Sequence, residues 1–465
     1  MSDTKNIYVY FDHNTTTPEL LGVLSVQIVR GKEFFSFEFN HDWLKKYPTQ
    51  ILDPDLQLYT GPQFTSKNNF GIFTDSAPDR WGRRLMLRRE KILAAKEERR
   101  QKILQESDFL LGVYDETRMG ALRFKIDPQG KFMNDDNNMA APPWARLREL
   151  EEACRRLDDD KFQDEHEKWL SMLIAPGSSL GGARPKATIT APDNSLWIAK
   201  FPSHNDHSNI SAWEYIAMQM ARECGLNVPE CKLEKFSKFG STFLVKRFDR
   251  LNGKRIHFAS AMTLLGKSDG ANAQDGSSYL EIAEFIMRYG AAPEQDLQEL
   301  WKRIVFSIAV SNTDDHLRNH GFLLSESGWR LSPAYDINPN PSGYGLSLNI
   351  TEYDNSLDFA VALEVAPFFR LKQQEAEKCL KEKIDVTENW RNYASAKGIS
   401  RTEPEIPAKF ITGLCIPAFG LNQQRSFFGI GVCRNRSRTK CTEQCCGDSK
   451  TKRAIVGHEV SLTEW

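Results

Sequence analysis

Six apolar residues, Leu297, Leu300, Trp301, Ile304, Val305 and Ile308, fall on one face of a helical period. The stripe runs almost directly into Ser311-Asn312-Thr313-Asp314-Asp315-His316-Leu317-Arg318-Asn319. A helix with such a stripe is buried along one side, so the polar residues at its end are held at the edge of a core. The following segment, Gly321 to Leu331, reads as a hairpin that turns Tyr335-Asp336 back toward this loop. Upstream the order is strand (Trp197 to Phe201), helix (Ser211 to Cys224), strand (Lys232 to Phe236), a turn at Phe239-Gly240-Ser241, and strand (Phe243 to Phe248). The helix is expected to open with a capping box, Ser211 with Glu214. From Ala259 to Ser311 the period is helical. A β-rich half followed by a mainly helical half predicts an α+β fold with two lobes.

The first 75 residues carry further strand signals: Ile7 to Phe11, Gly22 to Leu24, and Phe34 to Phe39, where aromatics alternate with polar residues. A charged helical stretch follows from Arg80 past Arg100, then the apolar Phe109-Leu110-Leu111 and a strand at Ala121 to Phe124. Asp127 to Pro143 has the turn dipeptides of a linker, and helices are expected over Trp144 to Leu157 and Glu165 to Leu173. The expected organisation is an N-terminal accessory unit (1–135), a first lobe (136–250), a helical second lobe (251–405) and a tail (406–465). With 61 basic and 62 acidic residues there is no net field to attract nucleic acid or an anionic membrane, so any such contact needs a local patch. The mixed-charge run from Arg83 to Arg100 reads as a solvated face, with partner or DNA-backbone contact as the other reading.

No apolar run reaches the roughly 18 residues of a spanning helix, and Met1-Ser2-Asp3-Thr4 opens no apolar signal core, which predicts a cytoplasmic protein. Cys154, Cys224, Cys231 and Cys379 lie within apparent helices and strands and suit reduced thiols. The other five cysteines fall after Glu405, where helical and strand periods fade. Cys441-Thr-Glu-Gln-Cys445-Cys446 lacks the paired C-x-x-C module of a zinc site.

The residue types point to phosphoryl transfer, which needs phosphates held, magnesium placed and a hydroxyl oriented. Asp314 and Asn319 stand five positions apart, the Asp-to-Asn spacing of a protein-kinase catalytic loop, in which the carboxylate accepts the substrate proton and the amide oxygen ligates metal. Asp336 supplies a second oxygen ligand, a donor set that suits magnesium. Lys200 sits in the apolar strand Trp197-Ile198-Ala199-Lys200-Phe201, where an ammonium needs an anionic partner; ATP phosphates would provide it, with Glu214 holding the lysine by an ion pair. Pro176 to Lys186 is glycine-rich and could offer backbone amides to phosphate, although it is neither Walker A nor Gly-x-Gly-x-x-Gly. His316 reads as a structural loop residue, since Asp314 already fills the base role.

Five segments in this order, Pro176 to Lys186, Ile198-Ala-Lys-Phe-Pro202, Val245-Lys-Arg-Phe-Asp-Arg250, Asn312 to Asn319 and Pro333-Ala-Tyr-Asp336, resemble the HipA-type serine/threonine kinases, the toxins of bacterial toxin–antitoxin pairs. The resemblance implies an ATP- and magnesium-dependent kinase. In it Asp314 is the base, Asn319 and Asp336 hold the metal, and Lys200 meets the phosphates. Gly181, Gly182 and Ala183 lie in the phosphate-covering loop, and the strand carrying Lys246 and Phe248 offers its backbone to adenine. Ser179, with Ser178 as second choice, matches the autophosphorylated serine. It also implies a helix-turn-helix antitoxin as partner, DNA contact only through that complex, and a translation-related protein such as an aminoacyl-tRNA synthetase as substrate. Asp315 stands where some members have glycine, and the last 60 or so residues look foreign to the family. Two other readings fit the same residues: an inactive co-repressor module, and a small-molecule or lipid kinase.

Overall fold

The computed structural model describes residues 4–136, 140–158, 173, 182, 184–340 and 342–399, all within one compact unit. The expected helix over Glu165 to Leu173, apart from Leu173 itself, and the tail lie outside the described residues, as do Ser178, Ser179, Gly181 and Ala183. An antiparallel sheet of five strands opens the chain: β1 (Thr4–Phe11), β2 (Glu19–Val29), β3 (Lys32–Phe39), β4 (Gln63–Phe64) and β5 (Leu122–Lys125), in the order β4-β3-β2-β1-β5. Alternation sends Ile7, Val9 and Phe11 of β1, and Phe35, Phe37 and Phe39 of β3, into the core. Gly22 is required where β3 passes β2, because a Cβ there would lie 2.2 Å from the Glu38 carbonyl oxygen.

A second antiparallel sheet, ordered β6-β7-β9-β8, comprises β6 (Lys186–Thr190), β7 (Leu196–Lys200), β8 (Cys231–Glu234) and β9 (Thr242–Lys246). One face carries Trp197, Ala199 and Leu244, which share a core with Leu150 and Ala153 of the Leu147–Asp158 helix and with Trp81 and Leu85 of the Arg80–Lys96 helix. The other face carries Ile198, Phe243 and Val245 against Ile216 and Met220 of the Ile210–Glu223 helix. Period two therefore places Lys200 on the helix-facing side and Lys246 on the opposite one. β6 is not among the strands expected from the sequence; it follows the glycine-rich stretch directly.

The capping box expected at Ser211 and Glu214 does not form. Asn209 is the cap, its side chain accepting from the Ala212 amide at 3.3 Å, and this leaves Glu214 buried inside the first turns. The remainder is mainly helical, with Tyr279–Tyr289, Pro293–Val310, Gln373–Thr387 and Trp390–Ala396 as its chief helices. A small sheet joins Phe258–Ser260, Gly321–Ser325 and Gly328–Leu331, the last two forming the expected hairpin. All six residues of the apolar stripe are 0–1% exposed. One continuous core runs from Ile7 and Phe37 of the first sheet to Leu300, Ile304 and Phe369 of the helical lobe. The two regions are also joined by polar contacts: Asp75 accepts from the Ser260 amide at 2.7 Å and from its hydroxyl at 2.9 Å. Among the described residues no helix is long and apolar enough to cross a membrane. Cys154, Cys224, Cys231 and Cys379 are free thiols.

Candidate active site

Lys200 enters the site from the end of β7, and its ammonium is shared. Nζ lies 2.5 Å from Glu214 Oε1 and 2.6 Å from Asp336 Oδ1. Lysine 200 and Glu214 are almost fully enclosed, at 8% and 3% exposure. One cation between two carboxylates cannot satisfy both fully. Burial alone would push Asp336 up, yet Lys200 and the Asn338 amide hold its carboxyl well below the usual carboxylate range. Burial pushes the Glu214 carboxyl up, with Lys200 pulling against it. Burial also works against the charged form of Lys200, but the two carboxylates outweigh it and raise the ammonium above its ordinary value.

Asp336 adopts a left-handed backbone, φ 58°, a conformation that costs a non-glycine residue energy and that aspartate tolerates better than most. Two contacts fix it there. Asn338 Nδ2 donates to Asp336 Oδ1 at 3.0 Å, and the Asn338 backbone amide donates to Asn312 Oδ1 at 3.0 Å, tying the Asp336 segment to the Ser311–Asn319 segment. Ser311, the left-handed C-cap of the Pro293–Val310 helix, makes a further link by donating its hydroxyl to the Asn340 carbonyl at 3.0 Å.

Asp314 follows this cap. Burial, with Asp336 and Asp315 nearby, raises its carboxyl, while His316 and Arg80 pull it down. Asn319 Nδ2 donates to the Asp314 carbonyl at 2.9 Å, which closes the loop and leaves the amide oxygen as its remaining donor atom for a cation. Asp315 points the other way. It is 5% exposed, accepts from Tyr279 Oη at 2.7 Å and from Ser307 Oγ at 3.3 Å, and lies 3.1 Å from His320 Nε2. Where some members of the resembled family have glycine, Asp315 therefore staples the loop to two helices. Sequence spacing could not have told which of two adjacent aspartates faces the cleft.

Lys246, Phe248 and Gly182 occupy different positions around this centre. Lys246 Nζ is on the far side of the sheet, 3.7 Å from Glu230 and 3.9 Å from Asp193, and its amide is used by the Glu230 carbonyl. Phe248 lies between the lobes, its ring 5.5 Å from Tyr335 and 6.1 Å from Phe258. The Gly182 carbonyl accepts from Lys186 Nζ at 3.2 Å, and Gly182 lines the cavity that also contains Asp314. Lys186 itself is paired with Asp79 at 2.8 Å, both side chains 3% exposed or less, and its carbonyl accepts from Trp81 Nε1 at 3.0 Å. The N-terminal region is thus bonded to β6 at the base of the glycine-rich stretch.

Asp336 and Asn319 offer hard oxygen donors, the chemistry magnesium takes, and Asn338 Oδ1 is a buried oxygen without a hydrogen-bond partner. Among the described residues no cluster of three or more His, Cys, Asp or Glu side chains could hold a metal, so a histidine- or thiolate-rich metal centre is not what this geometry provides.

Residues 178–390 match the family model described as HipA-like C-terminal domain. A putative kinase of Haemophilus influenzae is 28% identical over 194 residues, covering 37% of this chain and 56% of that protein. The serine/threonine-protein kinase toxin HipA of Shewanella oneidensis is 26% identical over 228 residues, covering 42% of this chain and 50% of that protein. The chain thus spans about half the length of these curated relatives. A chain from the complex of HipA, HipB and operator DNA of Shewanella oneidensis MR-1 superposes with a TM-score of 0.57 at 18% identity, over 87% of this chain and 94% of that one. That likeness establishes a two-lobed kinase-like α+β fold with an N-terminal β-rich unit. Over residues 178–390 the chain is therefore similar to the HipA-like C-terminal domain.

Proposed function

We propose that the chain is an ATP-dependent serine/threonine protein kinase. The carrying observation is Lys200 held between Glu214 and Asp336, with Asp336 tied through Asn338 to the loop bearing Asp314 and Asn319. An ammonium fixed on two sides is preorganised for phosphate oxygens, because its position costs nothing further to set when the nucleotide enters. Asp314, raised by burial, accepts the proton of the substrate hydroxyl as its oxygen attacks the γ-phosphorus and the β–γ bridging bond breaks to release ADP. Asp336 and Asn319 would hold magnesium, which supplies charge neutralisation of the phosphates when bound. The backbone near Phe248 is read as the adenine edge.

The accessory unit is taken as 1–135, the lobes as 136–250 and 251–405. Phosphorylation of Ser179 would add about two negative charges to the glycine-rich stretch and switch the enzyme off. By analogy with the HipA–HipB–DNA complex, a HipB-like protein is the partner and DNA is met only through it. The substrate is taken to be a translation-related protein in the cytoplasm.

The test is incorporation of radiolabel from magnesium and [γ-³²P]ATP into the chain and into lysate protein. Asp314→Ala should abolish labelling. Equal labelling by the variant and wild type overturns the assignment, and no labelling by either favours an inactive co-repressor.

A further inference from the structure

A cavity of about 10 Å³ lies between the Pro293–Val310 helix and the Ser311–Asn319 loop, bordered among others by Arg303, Asn319 and His320. The space suits one water, which needs about that volume and at least two polar partners. Two atoms on its border answer that need. Arg303 Nη1 and His320 Nδ1 are buried, have no hydrogen-bond partner among the described residues, and belong to side chains 4% and 2% exposed. Buried polar groups nearly always have a partner, and where the chain supplies none it is an ordered water.

The other nitrogens of the guanidinium are committed. Arg303 Nη2 donates to the Ser332 carbonyl at 2.6 Å, at the head of the segment that leads to Asp336. Arg303 Nε donates to Glu299 Oε1 at 3.1 Å, and the same oxygen accepts from the Asn227 amide at 3.0 Å. Asn227 lies just past the end of the Ile210–Glu223 helix, which carries Glu214, and its carbonyl accepts from the Ala334 amide at 2.8 Å. One cation therefore meets the chain leading to Asp336 directly and the end of the Glu214 helix through Glu299. Its Nη1 is the nitrogen left for the cavity, whose far wall holds His320, next in sequence to Asn319.

We propose that this cavity holds one water, accepting from Arg303 Nη1 and donating to His320 Nδ1, and that Arg303 is thereby a positioning residue common to Asn319, Asp336 and Glu214. His320 Nε2 lies 3.1 Å from Asp315 Oδ1, which leaves Nδ1 as the ring atom for the water. Asp315 also borders the cavity, so an anion in the water's place would meet a carboxylate. The inference rests on the kinase reading and deepens it, because it names the buried group that keeps the two magnesium-side residues in register.

The water is tested on the full wild-type chain by a crystal structure at a resolution that shows ordered solvent. A density peak within hydrogen-bond distance of both Arg303 Nη1 and His320 Nδ1 is expected, and its absence overturns the proposal. The positioning role is tested by label transfer from [γ-³²P]ATP, at saturating nucleotide, across a magnesium titration. Arg303→Met alone would strand Glu299, so it is paired with Glu299→Gln. The double variant should need about fivefold more magnesium for half its maximal rate, the scale of one hydrogen bond. Its maximal rate should fall about tenfold or more, since a misplacement of about 1 Å can cost about 100-fold. Partial unfolding lowers the rate at every magnesium concentration but does not move the midpoint, so an unmoved midpoint overturns the proposal and leaves the kinase assignment standing. Should the pair fail to fold, Arg303→Lys, which keeps the charge but offers one nitrogen, takes its place with the same expected shift. If wild type transfers no label, the kinase reading fails and the positioning role falls with it.

Discussion

Replacing Lys200 with methionine keeps the length of the side chain and removes its charge, which leaves Glu214 and Asp336 facing each other without the cation between them. Glu214 is 3% exposed, so its carboxylate cannot recover its lost partner from water. Removing one member of a buried ion pair costs about 3–5 kcal/mol, and the expected loss lies in that range at pH 8. The variant has an escape, because one of the two carboxyls can take up a proton. In wild type, Asp336 is held low by Lys200, so its stabilising effect is present above the unfolded carboxylate value and is lost only as pH falls through the depressed native one. Lys200 is raised, so its contribution is complete below the ordinary lysine value and lost only as pH rises through the native one.

In the variant a carboxyl raised above its unfolded value makes the native state bind the extra proton, so stability falls as pH rises. The slope is up to about 1.4 kcal/mol per pH unit for one proton. Urea unfolding at pH 5.5 and pH 8 should therefore show a larger deficit at the higher pH. Adding Glu214→Gln to the variant should recover most of the deficit and remove its pH dependence. A deficit below about 1 kcal/mol, or one equal at both pH values, refutes the reasoning, since the shared ammonium would then be doing little to hold the carboxylates.

Two further outcomes follow from the same contacts. The acid limb of kcat/KM for peptide phosphorylation should lie above the ordinary aspartate value, because burial raises the Asp314 carboxyl and only its ionised form accepts a proton; a limb at or below that value, read from a pH–rate profile, contradicts the base assignment. A chain beginning at residue 136 should fail to give a cooperatively folded, soluble protein, because it loses a large part of the continuous core along with Asp75 and Asp79, the partners of Ser260 and Lys186. A sharp thermal transition from that fragment would show the N-terminal region to be dispensable for folding.

Much of the site was legible because its residues are chemically out of place locally. A lysine in the apolar strand Trp197 to Phe201 predicts an anionic partner, and Glu214 is that partner at 2.5 Å. The stripe from Leu297 to Ile308 was legible for a similar reason, since period and burial coincide. What was illegible depends on contacts distant in the chain. The Ser211–Glu214 pattern has the spacing of a cap, but the competing use of Glu214 by Lys200 is visible only when β7 lies beside the helix. Asp315 and Asp314 are indistinguishable as letters, and burial against Tyr279 separates them. Arg80 looked like one charge in a solvated helix. Its nearness to Asp314 follows from the anchoring of that helix on β6 through Trp81 and Asp79.

The same anchoring bears on why so many charges are buried around a site that an apolar core could also have supported. Lys200 stands more than a hundred residues in the chain from Asp314 and Asp336, and apolar packing resists separation better than it resists sliding. Directional contacts resist sliding. Arg247 donates to both oxygens of Asp249 and to the Thr117 carbonyl at 2.6 Å, while Asp249 also accepts from the Gly120 amide at 2.9 Å. This cluster fixes the chain on both sides of Phe248, whose ring meets Tyr335 next to Asp336. On the loop side, Asp315 and Asn312 bind Tyr279, Ser307 and the Asn338 amide. Asp314 thus has buried polar neighbours within two residues in sequence, Asn312 and Asp315, whose partners lie on other elements, and Asp336 has Asn338, which binds Asn312. Substituting such a neighbour is therefore expected to cost more in alignment than in stability, because the apolar cores on either side remain to hold the chain folded while the angle between Lys200, Asp336 and Asp314 is no longer set.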